Sequence, residues 1–306
     1  KSLSGTAWER LWARAPEARA YVRTRFSIGR PYFMWRALCP PPGALSSFPA
    51  GPGRMRPMIA LREVTKRFGA TAALDAVSLE VPAATTHVLL GSSGSGKSTV
   101  LRLILGLTFP DRGTVSVDGT PVDVGTRDRL VARMGYVVQD GGLYPHLTAS
   151  DNVALAAEAQ AWPRDRIATR LTELAGLTGL DAAMLRRYPR QLSGGQRQRV
   201  GLMRALMLDP PILLLDEPLG ALDPIVRVEL QEQLGRLVAD LKKTVVMVTH
   251  DVREAARLGH TITLLTAGRV VQQGTYRDLA ERPASPFVTQ FLTAQTVPAP
   301  PTAAGA

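Results

Sequence analysis

The sequence predicts an α/β domain with a mostly parallel core sheet, an N-terminal antiparallel β subdomain and an inserted helical subdomain. Three observations carry this expectation. From residue 58 onward strand-like and helix-like segments alternate, the order that a parallel sheet with crossover helices requires. Two short apolar runs, ILLL at 212–215 and VVMV at 245–248, have the length of strands buried on both faces. The stretch 148–188 has helical character and no strand signal.

Residues 59–67 and 77–90 read as strands, and so does TVSVDGTPV at 114–122, where Asp118-Gly119 is a strong hairpin turn. Residues 97–107 read as a helix. After the helix-rich stretch, 196–208 is helical again and leads into strand 211–215. Helix 224–241, strand 244–248, helix 251–258 and a hairpin-like 261–273 complete the core. The folded domain is expected to span 58–293, with its helical subdomain at 148–190. The remainder, 294–306, contains the low-complexity run TVPAPPTAAGA and is expected to be disordered.

The chain has 306 residues, 45% of them hydrophobic, enough for one sizeable core. No run of 18 apolar residues occurs, so the sequence predicts no bilayer-spanning helix, and any membrane role would come through a partner. Cys39 is the single cysteine, which excludes an intramolecular disulfide and fits a reducing compartment. The net charge of +11 is unevenly placed: Lys1 and nine arginines against Glu9 and Glu17 give residues 1–57 a charge of +8, leaving +3 for the other 249. A near-neutral body argues against nucleic acid as a partner. Residues 1–57 also hold Trp8, Trp12 and Trp35 and close on a Pro/Gly-rich run. Residues 7–26 fit a basic amphipathic helix, for a membrane surface or for targeting. Alternatively Met55 or Met58 is the true start and the preceding stretch is an unfolded extension or start-site artefact. The strand pattern that opens with MIALREVTKRF favours the second reading.

Residues 91–99 read GSSGSGKST and match G-x-x-x-x-G-K-[ST] between a strand ending in VLL and a helix. Gly91, Gly94 and Gly96 let the backbone curl, so that the amides of Ser92, Ser93, Ser95 and their neighbours turn toward phosphate oxygens. The helix opening at Lys97, Ser98 and Thr99 presents its positive end to the same anions. Lys97 adds a full charge toward the β/γ-phosphates, and Ser98 offers a hydroxyl to Mg²⁺. These features specify a P-loop NTPase. Its other half is ILLLDE at 212–217, a buried strand that delivers Asp216 and Glu217 to the sheet's ligand-binding edge. An acidic pair there is by itself an ordinary solvated strand end. Beside a phosphate loop, Asp216 would hold Mg²⁺ through its water shell and Glu217 would polarise the attacking water.

Between those motifs lies QLSGGQRQRV at 191–200, and here the sequence resembles the ABC (ATP-binding cassette) ATPases. The resemblance covers residues 58 to about 293. It implies that Ser193, Gly194, Gly195 and Gln196 meet a phosphate held by the opposite subunit, so that two chains sandwich two ATP molecules head to tail. It further implies that Phe68 stacks on adenine, that Gln139 reaches Mg²⁺ and links hydrolysis to the membrane partner, and that Asp223 crosses the dimer interface. His250 would contact the γ-phosphate and orient Glu217. Glycine at position 220 stands where the family often has serine, which removes one cross-dimer hydroxyl.

Within the family, GGLYPHLTASDNVAL, EPLGALDPIVRVELQ, VTHDVREAARLGHTITLL and PFVTQFL look most like the importer ATPases for glycine betaine, choline and related osmoprotectants. The resemblance implies an ATPase on the cytoplasmic face of the membrane. Its partners would be a second copy or a homologous ATPase subunit, a separate transmembrane permease docking near Gln139, Tyr144, Pro145 and His146, and an extracytoplasmic solute-binding protein. An ATPase of a lipid or drug exporter is the alternative. A soluble ribosome-acting relative is less favoured, because internal repeats are absent. A DNA-repair relative would carry a long coiled coil, whereas Lys97 and Ser193 are only 96 positions apart.

Overall fold

The computed structural model describes residues 57–220 and 224–295. The expectations for the basic N-terminal extension, for Asp223 and for the tail from 296 lie outside the described residues.

Two sheets organise the chain. The first is antiparallel, in the order β2 (Thr71–Val81), β1 (Ile59–Phe68), β4 (Arg112–Val117), β5 (Thr120–Pro121). The β4–β5 turn puts Asp118 and Gly119 at φ 50° and 71°, the left-handed pair that a tight hairpin requires. The second sheet has six strands. Its order is β10 (Arg269–Gly274), β9 (Thr261–Thr266), β3 (Thr86–Leu90), β8 (Thr244–Thr249), β7 (Ile212–Asp216), β6 (Met134–Val137). All neighbours are parallel except β10, which returns antiparallel on β9. Every residue of β3 and β8 is buried, which explains why these strands read as continuous apolar runs.

Alternation along the strands divides the interior into two layers. Leu213, Leu215, Val245, Met247, Val88 and Leu90 face one cluster, with Val200, Met203 and Leu206 of helix α5 (Gly194–Leu206). This layer also takes in α3 (Ala149–Ala159) through Val153 and α4 (Arg164–Thr178) through Leu174. Ile212, Leu214, Val246, Val248 and Leu89 face the other, where α1 (Lys97–Ile104) supplies Val100, Leu101, Leu103 and Ile104 and the antiparallel sheet closes the layer. The remaining helices are α2 (Arg127–Val131), α6 (Pro224–Leu241), α7 (Val252–Leu258), α8 (Tyr276–Glu281) and α9 (Pro286–Thr293). Among the described residues no helix is long and apolar enough to cross a membrane.

The sequence expectation needs correction in places. Residues 77–90 form two strands in different sheets, because Pro82 and the left-handed Ala84 (φ 56°) turn the chain between them. Helix 97–107 stops at Ile104: Gly106 adopts φ 61°, and a Cβ there would sit 2.6 Å from Arg127 Cγ. The short elements β6, α2, α8 and α9 were not anticipated.

One core residue makes a pH prediction. His87 on β3 is fully buried, its Nε2 hydrogen-bonded to Thr263 Oγ1 at 2.8 Å. Burial pushes its pKa down from 6.5 to about 4. Between those two values the unfolded chain binds a proton that the folded chain refuses, so stability falls as pH drops through this window. The full effect is about 3 kcal/mol. Urea unfolding of the wild type should lose stability faster between pH 6.5 and 4.5 than unfolding of His87→Leu. Equal slopes would contradict the assignment.

Candidate functional site

Because β3, β7 and β8 run parallel, their carboxyl ends share one edge of the sheet. There Leu90 leads into the glycine-rich loop, Asp216 into Glu217, and Thr249 into His250. The loop 91–96 hands over to α1 at Gly96, whose φ of 104° is left-handed and whose space is closed: a Cβ would sit 2.5 Å from Ala73 O and 2.7 Å from Leu74 Cδ2. Only glycine allows the β1–β2 hairpin to press so close to the loop. Phe68 pairs with Thr71 at the tip of the same hairpin and is 49% exposed, with Lys66 Nζ 5.6 Å from its ring centre.

Lys97 is 5% exposed, and its ammonium donates to Gly91 O (2.8 Å), Ser92 O (2.7 Å) and Ser95 Oγ (3.2 Å). Burial lowers its pKa, while the charges of Glu217 and Asp216 oppose that shift. Ser92, Ser93 and Gly94 are exposed, whereas Ser95 and Thr99 are buried.

Ser98 Oγ donates to Asp216 Oδ1 at 3.2 Å, and Tyr136 OH donates to Asp216 Oδ2 at 3.4 Å. Burial raises the Asp216 carboxyl, and these two hydrogen bonds counteract it. Burial and the Asp216 charge push the Tyr136 phenol up to about 12. Glu217 lies beyond, at φ 45°, with its N–H on Val248 O (3.0 Å) and its carbonyl accepting from Gly220 N (3.2 Å). A glutamate in the left-handed region is strained, and the two backbone bonds hold it there. Its Oε2 is 3.4 Å from both Gln139 Nε2 and His250 Nδ1. The structure thus gathers Lys97, Ser98, Gln139, Asp216, Glu217 and His250 along one edge.

Ser193 caps α5 reciprocally: its Oγ accepts from Gln196 N (3.2 Å), and Gln196 Oε1 accepts from Ser193 N (2.9 Å). This box holds Gly194 and Gly195 in the first turn, and among the described residues no side chain accepts a hydrogen bond from their amides. Among the described residues no hydrogen bond or ion pair joins Ser193–Gln196 to residues 91–99.

Sequence reasoning missed three contributors. Tyr136 is visible only once β6 pairs with β7, although it stands three positions before Gln139. Arg204 on α5 donates to Gly142 O (2.8 Å) and Gly141 O (2.9 Å), clasping the segment after Gln139 to the LSGGQ helix. Asn152, fully buried, accepts from Tyr144 N and donates to the carbonyls of Tyr144, Leu147 and Thr148, which shapes the Tyr144–His146 loop.

The family model described as ABC transporter matches residues 74–220. The glycine betaine uptake system ATP-binding protein YehX of Escherichia coli is 45% identical over 235 residues, covering 77% of this chain and 76% of the relative. The chain belongs to the ABC transporter ATP-binding proteins. The sulfate/thiosulfate import ATP-binding protein CysA of Nocardia farcinica is also 45% identical, over 77% of this chain and 70% of the relative. The chain spans 62% to 76% of the length of the first curated relatives it matches. Among solved structures, the ATP-binding cassette MJ0796, a dimer in a post-hydrolysis state bound to ADP and Pi, superposes with TM-score 0.66 at 35% identity. That superposition covers 72% of this chain and 99% of the cassette. This ABC protein is therefore an ATPase whose α/β cassette binds the nucleotide.

Proposed function

We propose that residues 58–293 form the motor of a membrane importer for a small polar solute, an osmoprotectant of the glycine betaine type. The single observation behind the catalytic part is the convergence of Gln139 and His250 on Glu217 Oε2 beside the Ser98–Asp216 contact. In this reading the backbone of 91–96, Lys97 and Thr99 receive the phosphates, and Phe68 takes the adenine face. Ser98, Asp216 and Gln139 suit Mg²⁺, a hard cation that takes oxygen ligands, and the Ser98–Asp216 contact at 3.2 Å supports the fit. When bound, Mg²⁺ would offset charge on the phosphates. Glu217 accepts the proton of the attacking water, and His250 fixes the Glu217 carboxylate. Catalysis is by positioning and electrostatics.

The dimeric state of MJ0796 supports a head-to-tail pair of cassettes, with Asp223 at their interface, and so does the lack of any hydrogen bond from Ser193–Gln196 to the phosphate loop among the described residues. A permease would dock on the loop organised by Asn152 and on the helices of 148–190, placing the subunit on the cytoplasmic face of the membrane. An extracytoplasmic binding protein would deliver the solute. YehX supports glycine betaine, while the equally similar CysA keeps the importer class and leaves the solute to the permease.

Lys97→Ala removes a charge-assisted contact of about 1.5–3 kcal/mol, so nucleotide affinity should fall about tenfold or more. Equilibrium titration with a fluorescent ATP analogue checks this. Unchanged affinity would mean that the loop does not cradle phosphate.

A further inference from the structure

His250 has little to hold its own side chain. The side chain is 53% exposed, and its one polar neighbour among the described residues is Glu217, at 3.4 Å. What fixes it must act through the backbone on either side. Immediately before it, Thr249 Oγ1 donates to Glu254 Oε2 at 2.6 Å and accepts from Asp251 N at 3.0 Å. Immediately after it, Asp251 Oδ1 caps α7 by accepting from Arg253 N (2.7 Å) and Glu254 N (3.4 Å). One hydroxyl thus ties together the residues flanking His250, and a carboxylate that is 2% exposed anchors that hydroxyl. Gln231 of α6 also hydrogen-bonds Glu254. Arg227 of α6 completes the link, with Nη1 3.6 Å from Asp251 Oδ2 and Nη2 donating to Gly220 O at 3.5 Å. Gly220 N in turn donates to the Glu217 carbonyl.

Burying a carboxylate is costly unless it is hydrogen-bonded, and here Thr249 and Gln231 supply those bonds. We infer that Glu254, acting through Thr249, is a positioning residue that sets His250 against Glu217, with Arg227 stapling this turn to the loop after Glu217. Glu254 and Thr249 are each 2% exposed, and their side chains bond to each other, not to Lys97, Ser98 or Asp216. Their effect should therefore fall on turnover and leave nucleotide affinity alone. The inference rests on the proposed roles of Glu217 and His250.

The test measures kcat, the Kd for a fluorescent ATP analogue and the melting temperature on the full chain. Thr249→Val and Glu254→Leu should each lower kcat about tenfold or more, because small misplacements near the reacting groups are expensive, with Kd within about twofold. Thr249→Ser and Glu254→Gln keep the donor and the acceptor and should recover most of the rate. The double variant Thr249→Val/Glu254→Leu should lose no more than either single variant. If Glu254→Leu does not fold, Thr249→Val against Thr249→Ser carries the test alone. Wild-type kcat for Thr249→Val, or a lowered melting temperature with kcat per folded molecule unchanged, overturns the inference. His250→Ala separates the two levels. If it keeps wild-type turnover, the site reading has failed; if it loses turnover while Thr249→Val does not, only this inference has.

Discussion

Glu217→Gln is expected to bind MgATP as the wild type does and to lose about 10²- to 10⁴-fold in turnover. The amide keeps the shape of the side chain and a hydrogen-bonding oxygen, so the contacts from Gln139 and His250, both at 3.4 Å, have a partner. It cannot take a proton. Glu217 follows Asp216 directly yet sits at φ 45°, and this backbone twist turns the two acidic side chains to different tasks. Asp216 meets Ser98 and Tyr136, while Glu217 meets Gln139 and His250. Because binding survives and hydrolysis does not, the variant should also accumulate as an ATP-bound dimer on gel filtration. Turnover within about threefold of wild type would remove Glu217 from the role of general base.

How much of this was readable from the sequence depends on how local each feature is. Lys97, Ser98, Asp216 and Glu217 sit in short motifs whose spacing already fixes a strand, a turn and a helix start, and the structure places them on one edge. The LSGGQ helix start was equally legible, since Ser193 and Gln196 cap each other within four residues. Features that need partners distant in sequence were not legible. β6 is four residues, MGYV, with no alternation to mark it, and its pairing with β7 is what carries Tyr136 to Asp216. Arg204 looked like one of several arginines after LSGGQ until the fold brought Gly141 and Gly142 under it. The merging of 77–90 into one strand overlooked Pro82, which lacks the N–H that a continuing ladder needs. Glu254 lies in the helix expected at 251–258, where nothing local marks it as buried. Only the burial of α7 against β8 and α6 makes it an anchor.

If the working site is shared between two chains, as the dimeric state of MJ0796 and the lack of any hydrogen bond from Ser193–Gln196 to the phosphate loop among the described residues support, then damage at Gly96's end of one chain and at Gly195's end of the other should complement. Lys97→Ala damages one end and Ser193→Arg the other, the second by placing a bulky cation where the partner's phosphate should arrive. Ser193→Arg also removes a helix cap worth about 1 kcal/mol, so its folding is checked by its melting temperature before its activity is read. Each variant alone should be nearly inactive. In their heterodimer one composite site carries both lesions, while the other pairs an intact Lys97 with an intact Ser193. The deciding measurement is the ATPase rate of the mixed variants as a function of total protein concentration. A shared site predicts that mixing restores measurable activity and that the rate rises more steeply than linearly while the dimer is only partly formed. No gain on mixing, with wild-type activity strictly proportional to concentration down to levels at which the protein is monomeric, would contradict it.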